Sequence, residues 1–160
     1  MTQYIFDACS LNVIIKSFYE KRFPTFWEKF DELANNKTII SIKEVKRELE
    51  RKFHNSEIPI LTRTSITVPF FEILIPSELL IMKDILSVKH FQGLITLNNI
   101  FDGAPVADPF LIAKAEACNG VVVTEEVHKP NANKIPNVCE KRNVRCINLE
   151  KFMEEQNWSF

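Results

Sequence analysis

Apolar positions along the chain alternate between short β-branched or aromatic runs and stretches with helical spacing. Five runs read as strands: residues 4–6, 37–40, 70–75, 121–123 and 144–148. Between the first two, residues 11–19 place Leu11, Ile14, Ile15 and Phe18 on one face. Pro24 then opens a helix whose Phe23, Phe26, Trp27, Phe30, Leu33 and Ala34 recur at core-facing spacing, closed by Asn35-Asn36. Ser41 and Glu44 have capping-box spacing, with a helix to about Phe53 that buries Ile42, Val45, Leu49 and Phe53. Further helices are expected over residues 77–89, 134–142 and 149–155. Residues 54–69 read as an irregular excursion, and residues 94–107 as a loop with an Asp102-Gly103 turn.

Residues 106–126 hold the clearest helix-to-strand grammar. Asp108 before Pro109 suits an N-cap followed by a helix-initiating proline. Residues 110–118 are apolar and small, broken only by Lys114 and Glu116, and Asn119-Gly120 supplies the stop. The run Val121-Val122-Val123 suits a strand buried on both faces. Strands and helices thus alternate along the chain, which implies an α/β fold: a mostly parallel, about five-stranded sheet with helices on both faces. Ligands in such folds sit outside the carboxyl ends of the strands.

A length of 160 residues suits one domain, 1–160, with room for a core, and thirteen Phe make that core aromatic. Twenty Lys and Arg against 21 Asp and Glu leave a net charge of −1, so any polyanion must meet a local patch. No membrane-length apolar run or signal peptide is present, and a cytoplasmic location is the default expectation. Cys9, Cys118, Cys139 and Cys146 have neither zinc-site nor disulfide-scaffold spacing, and are expected to be reduced and mostly buried. His54, His90 and His128 are scattered. Three glycines rule out a G-x-G-x-x-G dinucleotide site.

Four acids fall at the expected ligand rim: Asp7 after the first strand, Glu44 after the second, Asp108 before the fourth and Glu126 after it. Each has a local use, in a turn, a cap or a solvated surface. Together they repel unless a cation offsets them, and oxygen-only ligands select a hard ion such as Mg²⁺ or Mn²⁺. Such an ion activates water for phosphodiester hydrolysis. Lys43, Lys46 and Arg47 on the helix after the second strand are candidate RNA-phosphate contacts, set against a merely solvated face. An Asp-based phosphotransferase of the haloacid-dehalogenase kind would want a second Asp where Cys9 stands.

The segments YIFDACSL, SIKEVKREL, ADPFLIAKA and VVVTEE, with the tail KIPNVCE and VRCINL, resemble the PIN domain. Within it they look like an uncharacterised PIN-like group related to VapC-type toxin ribonucleases. The resemblance implies a three-layer α/β/α sandwich that cuts RNA with metal-bound water, held by Mg²⁺ or Mn²⁺. Carried over, Asp7, Glu44 and Asp108 match the first three family acids, and Glu126 the fourth, where the family usually has Asp. Glu125 is the alternative fourth acid, Thr124 matches the motif's hydroxyl, and Ser10 is a minor contributor near Asp7. The resemblance also implies an antitoxin partner that enters the acidic groove, and a homodimer. The rival reading is a catalytically silent PIN-like module that binds RNA or protein, favoured by the Glu at 126. The C-terminal Trp158-Ser159-Phe160 is open between core and interface.

Overall fold

β1 (Tyr4–Phe6) is buried along its whole length, because the chain lays strands on both sides of it. A computed structural model describes residues 1–54, 58–95 and 106–160. In it, β2 (Ile39–Ile42), β3 (Phe71–Glu72), β4 (Val121–Val123) and β5 (Arg145–Ile147) complete an all-parallel sheet of order β3-β2-β1-β4-β5. Tyr4 pairs with Ile39 on one side and Val121 on the other, and Val123 pairs with Ile147. The strand order reverses direction between β1 and β4. That switch point opens a crevice beyond their carboxyl ends.

Two helical layers cover the sheet. On one side, α1 (Ala8–Ser17) packs against α3 (Lys43–Phe53), and α2 (Pro24–Asn35) lies on β2. The rings of Tyr4 and Phe6 point to this layer. Both meet Phe152 of α8 (Leu149–Glu155) edge-on at 5.0 Å, and Phe6 also meets Phe30 at 6.3 Å. The expected stripe on α2 is core: Phe26, Trp27, Phe30 and Ala34 are buried. Trp158 joins it, 5.6 Å from Phe26, and Phe160 lies outside, edge-on at 5.5 Å from the same ring. The C-terminal aromatics therefore close the core, with Phe160 still half exposed.

On the opposite face, α5 (Pro76–Ser87) packs along α6 (Asp108–Ala117), which also lies against β1, β2, β4 and α7 (Ile135–Lys141). A helix so enclosed must be apolar all round, which explains its small-residue sequence. Its Lys114 is buried and needs anionic partners. It finds Glu72 on β3 at 2.9 Å and Glu78 on α5 at 3.0 Å. Glu78 also accepts from the Ile75 amide at 2.9 Å, capping α5. Asn119 ends this helical connection in the left-handed region at φ 51°. Gly120 follows because a Cβ there would stand 2.5 Å from Ile5 Cδ1 and 2.9 Å from the Gln3 carbonyl.

Several boundaries differ from those the pattern predicts. β2 runs two residues further, through Ile42, so Ser41 is a strand residue. Its hydroxyl donates to the Phe6 carbonyl at 2.7 Å, and the Ser41–Glu44 capping box does not form. Asp108 is the first residue of α6, and Ala107 holds the cap position without a side-chain bond. Asp7 is the true cap, accepting from the Ala8 amide at 2.6 Å to open α1 three residues earlier than expected. The run at residues 70–75 pairs only over Phe71–Glu72. Within 54–69, α4 (Pro59–Thr62) is a single turn. A 3-10 turn, Lys89–Leu94, fills the interval between the expected helix 77–89 and the expected loop 94–107, whose Asp102-Gly103 turn lies outside the described residues. The cysteines are free, but only Cys139 is buried. No helix among the described residues is long and apolar enough to cross a membrane.

Replacing Gly120 by Ala should destabilise the chain by about 1–3 kcal/mol through overpacking against β1. Urea unfolding of the variant measures this, and an unchanged midpoint would refute the close approach.

Candidate active site

The switch-point crevice is a cavity of about 250 Å³ lined by Asp7, Ala8, Cys9, Glu48, Leu49, Lys52, Asp108 and Glu126. Asp7 forms its floor and is only 4% exposed. β1 hands Asp7 directly to the α1 N-terminus, whose amide takes one carboxylate oxygen. The other oxygen accepts from the Thr124 hydroxyl at 2.9 Å and from the Cys9 thiol at 2.7 Å. Thr124 sits one residue beyond β4, so this bond ties the ends of the two switch-point strands. Cys9 extends the tie, accepting from the Glu125 amide at 3.2 Å. Burial, then the adjacent Asp7, push the Cys9 thiol up to about 12, which keeps it a protonated donor.

Three of the four expected acids meet here: Asp7, Asp108 and Glu126. Glu44 does not line the cavity. One of its oxygens is enclosed without a hydrogen-bond partner among the described residues. The acid that α3 contributes is Glu48, one turn further on. α3 starts at Lys43, one residue later than a Ser41 cap would start it, and Glu44 and Glu48 stand one turn apart on the same side of the helix. Helical phasing separates the lysines. Lys43, Lys46, Arg47 and Glu50 form an i, i+3, i+4, i+7 stripe, and Glu48 and Lys52 lie opposite it. Accordingly Lys52, not Lys43, Lys46 or Arg47, lines the cavity, and Lys46 pairs with Glu50 at 3.8 Å.

Glu126, rather than Glu125, faces the cavity. Its amide donates to Thr124 Oγ1 at 3.2 Å, and its carboxylate accepts from the Ile135 amide at 2.9 Å. Lys134 stands 3.5 Å away. Glu125 turns to the other side, accepting from the Leu149 amide at 2.8 Å and the Ser10 hydroxyl at 3.3 Å. Ser10 thus braces Glu125. Cys9 and Glu48 are the site residues that sequence reasoning missed.

The electrostatics are those of crowded acids. Burial raises the Asp7 carboxyl, and hydrogen bonds from Cys9, Thr124 and Ala8 work against that rise. Asp108, partly open at its surface, is pushed up to about 8 by desolvation and then by Asp7, Glu126 and Glu48, with Lys134 opposing. Glu48 rises to about 7 through desolvation and the Asp7 charge, although the Ala107 amide donates to it at 3.2 Å. An oxygen-only donor set under mutual repulsion suits a hard divalent cation. Among the described residues, no three acidic, His or Cys side chains yet stand close enough to grip one.

The sheet order and the covering helices are those of a PIN-like α/β fold. The fold is shared with VapBC2 from Rickettsia felis, solved bound to a DNA fragment from its promoter, at TM-score 0.52 and 20% identity over 92% of this chain and 98% of that one. PAE2754 from Pyrobaculum aerophilum aligns at TM-score 0.49 and 14% identity, covering 96% of each chain. No curated protein matches the chain. The chain belongs to the family described as a domain of unknown function, DUF4411, whose model matches residues 4–160.

Raised carboxyls bind protons that the unfolded chain has already lost, so native stability must fall as pH climbs through this window. Without divalent ions, the melting temperature should drop from about pH 4, the unfolded Asp value, to about pH 8, the Asp108 value, and then level off. Asp108→Asn should flatten that slope. A wild-type melting temperature that rises over this window would refute the crowding.

Proposed function

We propose that the chain is a divalent-metal-dependent ribonuclease whose active site is this cavity, within a single PIN-like domain. The observation that carries the reading is the convergence of Asp7, Glu48, Asp108 and Glu126 on one cavity at the switch point, where Asp7 is buried beneath the others. Asp7 and Asp108 would hold Mg²⁺ or Mn²⁺, with Glu48 and Glu126 completing the ligands or orienting water. When bound, such an ion would lower the pKa of water and offset charge on the leaving oxygen. Thr124 and Cys9 fix the Asp7 rotamer, and Glu125, braced by Ser10, anchors the loop that presents Glu126. Lys52 and Lys134 flank the acids and would meet the RNA phosphates.

The likeness to a VapBC complex supports an antitoxin-like protein as partner, a cation-bearing segment of which would occupy the same acidic cavity, and a toxin role in the cytoplasm. One observation favours the silent module instead: the Glu126 carboxylate is already engaged by Ile135 and Lys134. A chain that binds RNA without cutting would leave it so.

Asp7→Asn and Asp108→Asn should each abolish EDTA-sensitive cleavage of a mixed RNA pool. Glu48→Gln should do the same, and Glu44→Gln should not. Equal cleavage in all samples would indicate contamination and sink the nuclease. Metal-independent RNA binding without cleavage would establish the silent module. Separately, Lys52→Ala should reduce the salt slope of RNA binding by about one contact, and Lys43→Ala should leave it unchanged. An identical slope in both variants would remove Lys52 from the interface.

A further inference from the structure

The connection from β4 to α7, residues 124–134, borders a second cavity. The 3-10 turn Lys89–Leu94 forms its far wall. His90 Nε2 lies 3.4 Å from the Ala132 carbonyl, and Gly93 approaches so closely that a Cβ would fall 1.5 Å from Asn133 Nδ2. The buried Asn137 side chain stiffens the connection, donating to the Lys129 carbonyl at 2.6 Å and accepting from its amide at 3.4 Å. Between these segments lies a space of about 360 Å³, into which His90, Phe91, His128, Asn131, Glu140 and Lys141 project.

Nothing in the acidic cavity uses these side chains, and their chemistry differs from it. One carboxylate, Glu140, stands among a lysine, two imidazoles and an amide, so the wall does not repel an RNA strand. The volume is that of a small-ligand site. The His90 and Phe91 rings, 6.1 Å apart and inclined at 57°, offer an aromatic wall for a flat ring. Glu140 is an acceptor held by His128 at 2.9 Å, and the neighbouring Lys141 is a donor. Together they match a base edge that sets a hydrogen-bond donor beside an acceptor, which adenine, guanine, cytosine and uracil all carry. The two cavities share one strand end: Glu126 lines the first and His128 the second. Their Cα atoms, two residues apart, are separated by at most about 7 Å.

We propose that the His90–His128 cavity is a nucleobase subsite. It takes the base of a nucleotide next to the phosphate at Asp7 and Asp108. The placement beside the scissile phosphate rests on the nuclease reading, whereas base binding itself does not.

Two measurements separate them. Adenosine, guanosine, cytidine and uridine, titrated into isotope-labelled wild-type protein, should give saturable amide shifts at His90, His128, Asn131 and Lys141, and ribose 5-phosphate, which has no base, should give none. Glu140→Ala and Lys141→Ala, both on the outer side of α7, should remove those shifts. With short RNAs that differ only beside the cut, wild type should favour an intact nucleotide over an abasic one by about tenfold, the worth of one good base contact. Either variant should bring that ratio close to one. Nucleoside shifts at the cavity with no RNA cleavage would support the base site and fell the nuclease reading. Absence of saturable shifts, shifts confined to other regions, or cleavage with the same base ratio in both variants would overturn the subsite.

Discussion

Repulsion among carboxylates at the mouth of the switch point is the force that the surrounding structure must offset. Asp7 is deep enough that its charge is poorly solvated, and Asp108, Glu48 and Glu126 add like charge around it. The fold answers with oriented dipoles. The α1 amide, the Thr124 hydroxyl and the Cys9 thiol all aim positive ends at Asp7, and the α7 amide does so for Glu126. These donors hold the acids in place without neutralising them. Such an arrangement conserves a demand for external positive charge, met by a cation, by the lysines at the rim or by a proton.

A second constraint acts from behind. α6 must deliver Asp108 to the rim, yet it is enclosed by sheet and helices and has little polar surface to fix its rotation and slide. Lys114 provides that registration. A buried ammonium that must meet both Glu72 and Glu78 allows one placement of α6 against β3 and α5. The lysine is not part of the cavity, but it determines where Asp108 arrives. Ion pairs of this kind add specificity of arrangement more than raw stability.

Most of the sheet was legible because a fully buried parallel strand is a short apolar run, and Tyr4–Phe6 and Val121–Val123 are unambiguous. The aromatic stripe of α2 was equally clear from its spacing. Asp7, Asp108 and Glu126 could be placed at the rim because each directly borders a well-marked element. Glu44 stands one turn before Glu48 and outside the cavity lining. Ser41 and Glu44 satisfy the local grammar of a capping box, but the Ser41 hydroxyl is better used across the sheet on the Phe6 carbonyl. Tertiary hydrogen bonding displaced the local signal and carried β2 through Ile42. Cys9 was invisible for a different reason. Its thiol has meaning only once Asp7 and Thr124, far apart in sequence, are brought together.

The tie between Glu126 and the start of α7 has a bearing on how this chain can diverge. Because the acid grips the Ile135 amide and lies beside Lys134, the stretch between is a loop whose two ends are pinned at its base. Lengthening such a loop costs little, about 0.6 kcal/mol for each doubling. Insertions or substitutions at its tip leave the base geometry alone. Descendants of this protein can therefore explore new loop sequences, and whatever those loops touch, while the acid at the root stays in register with β4.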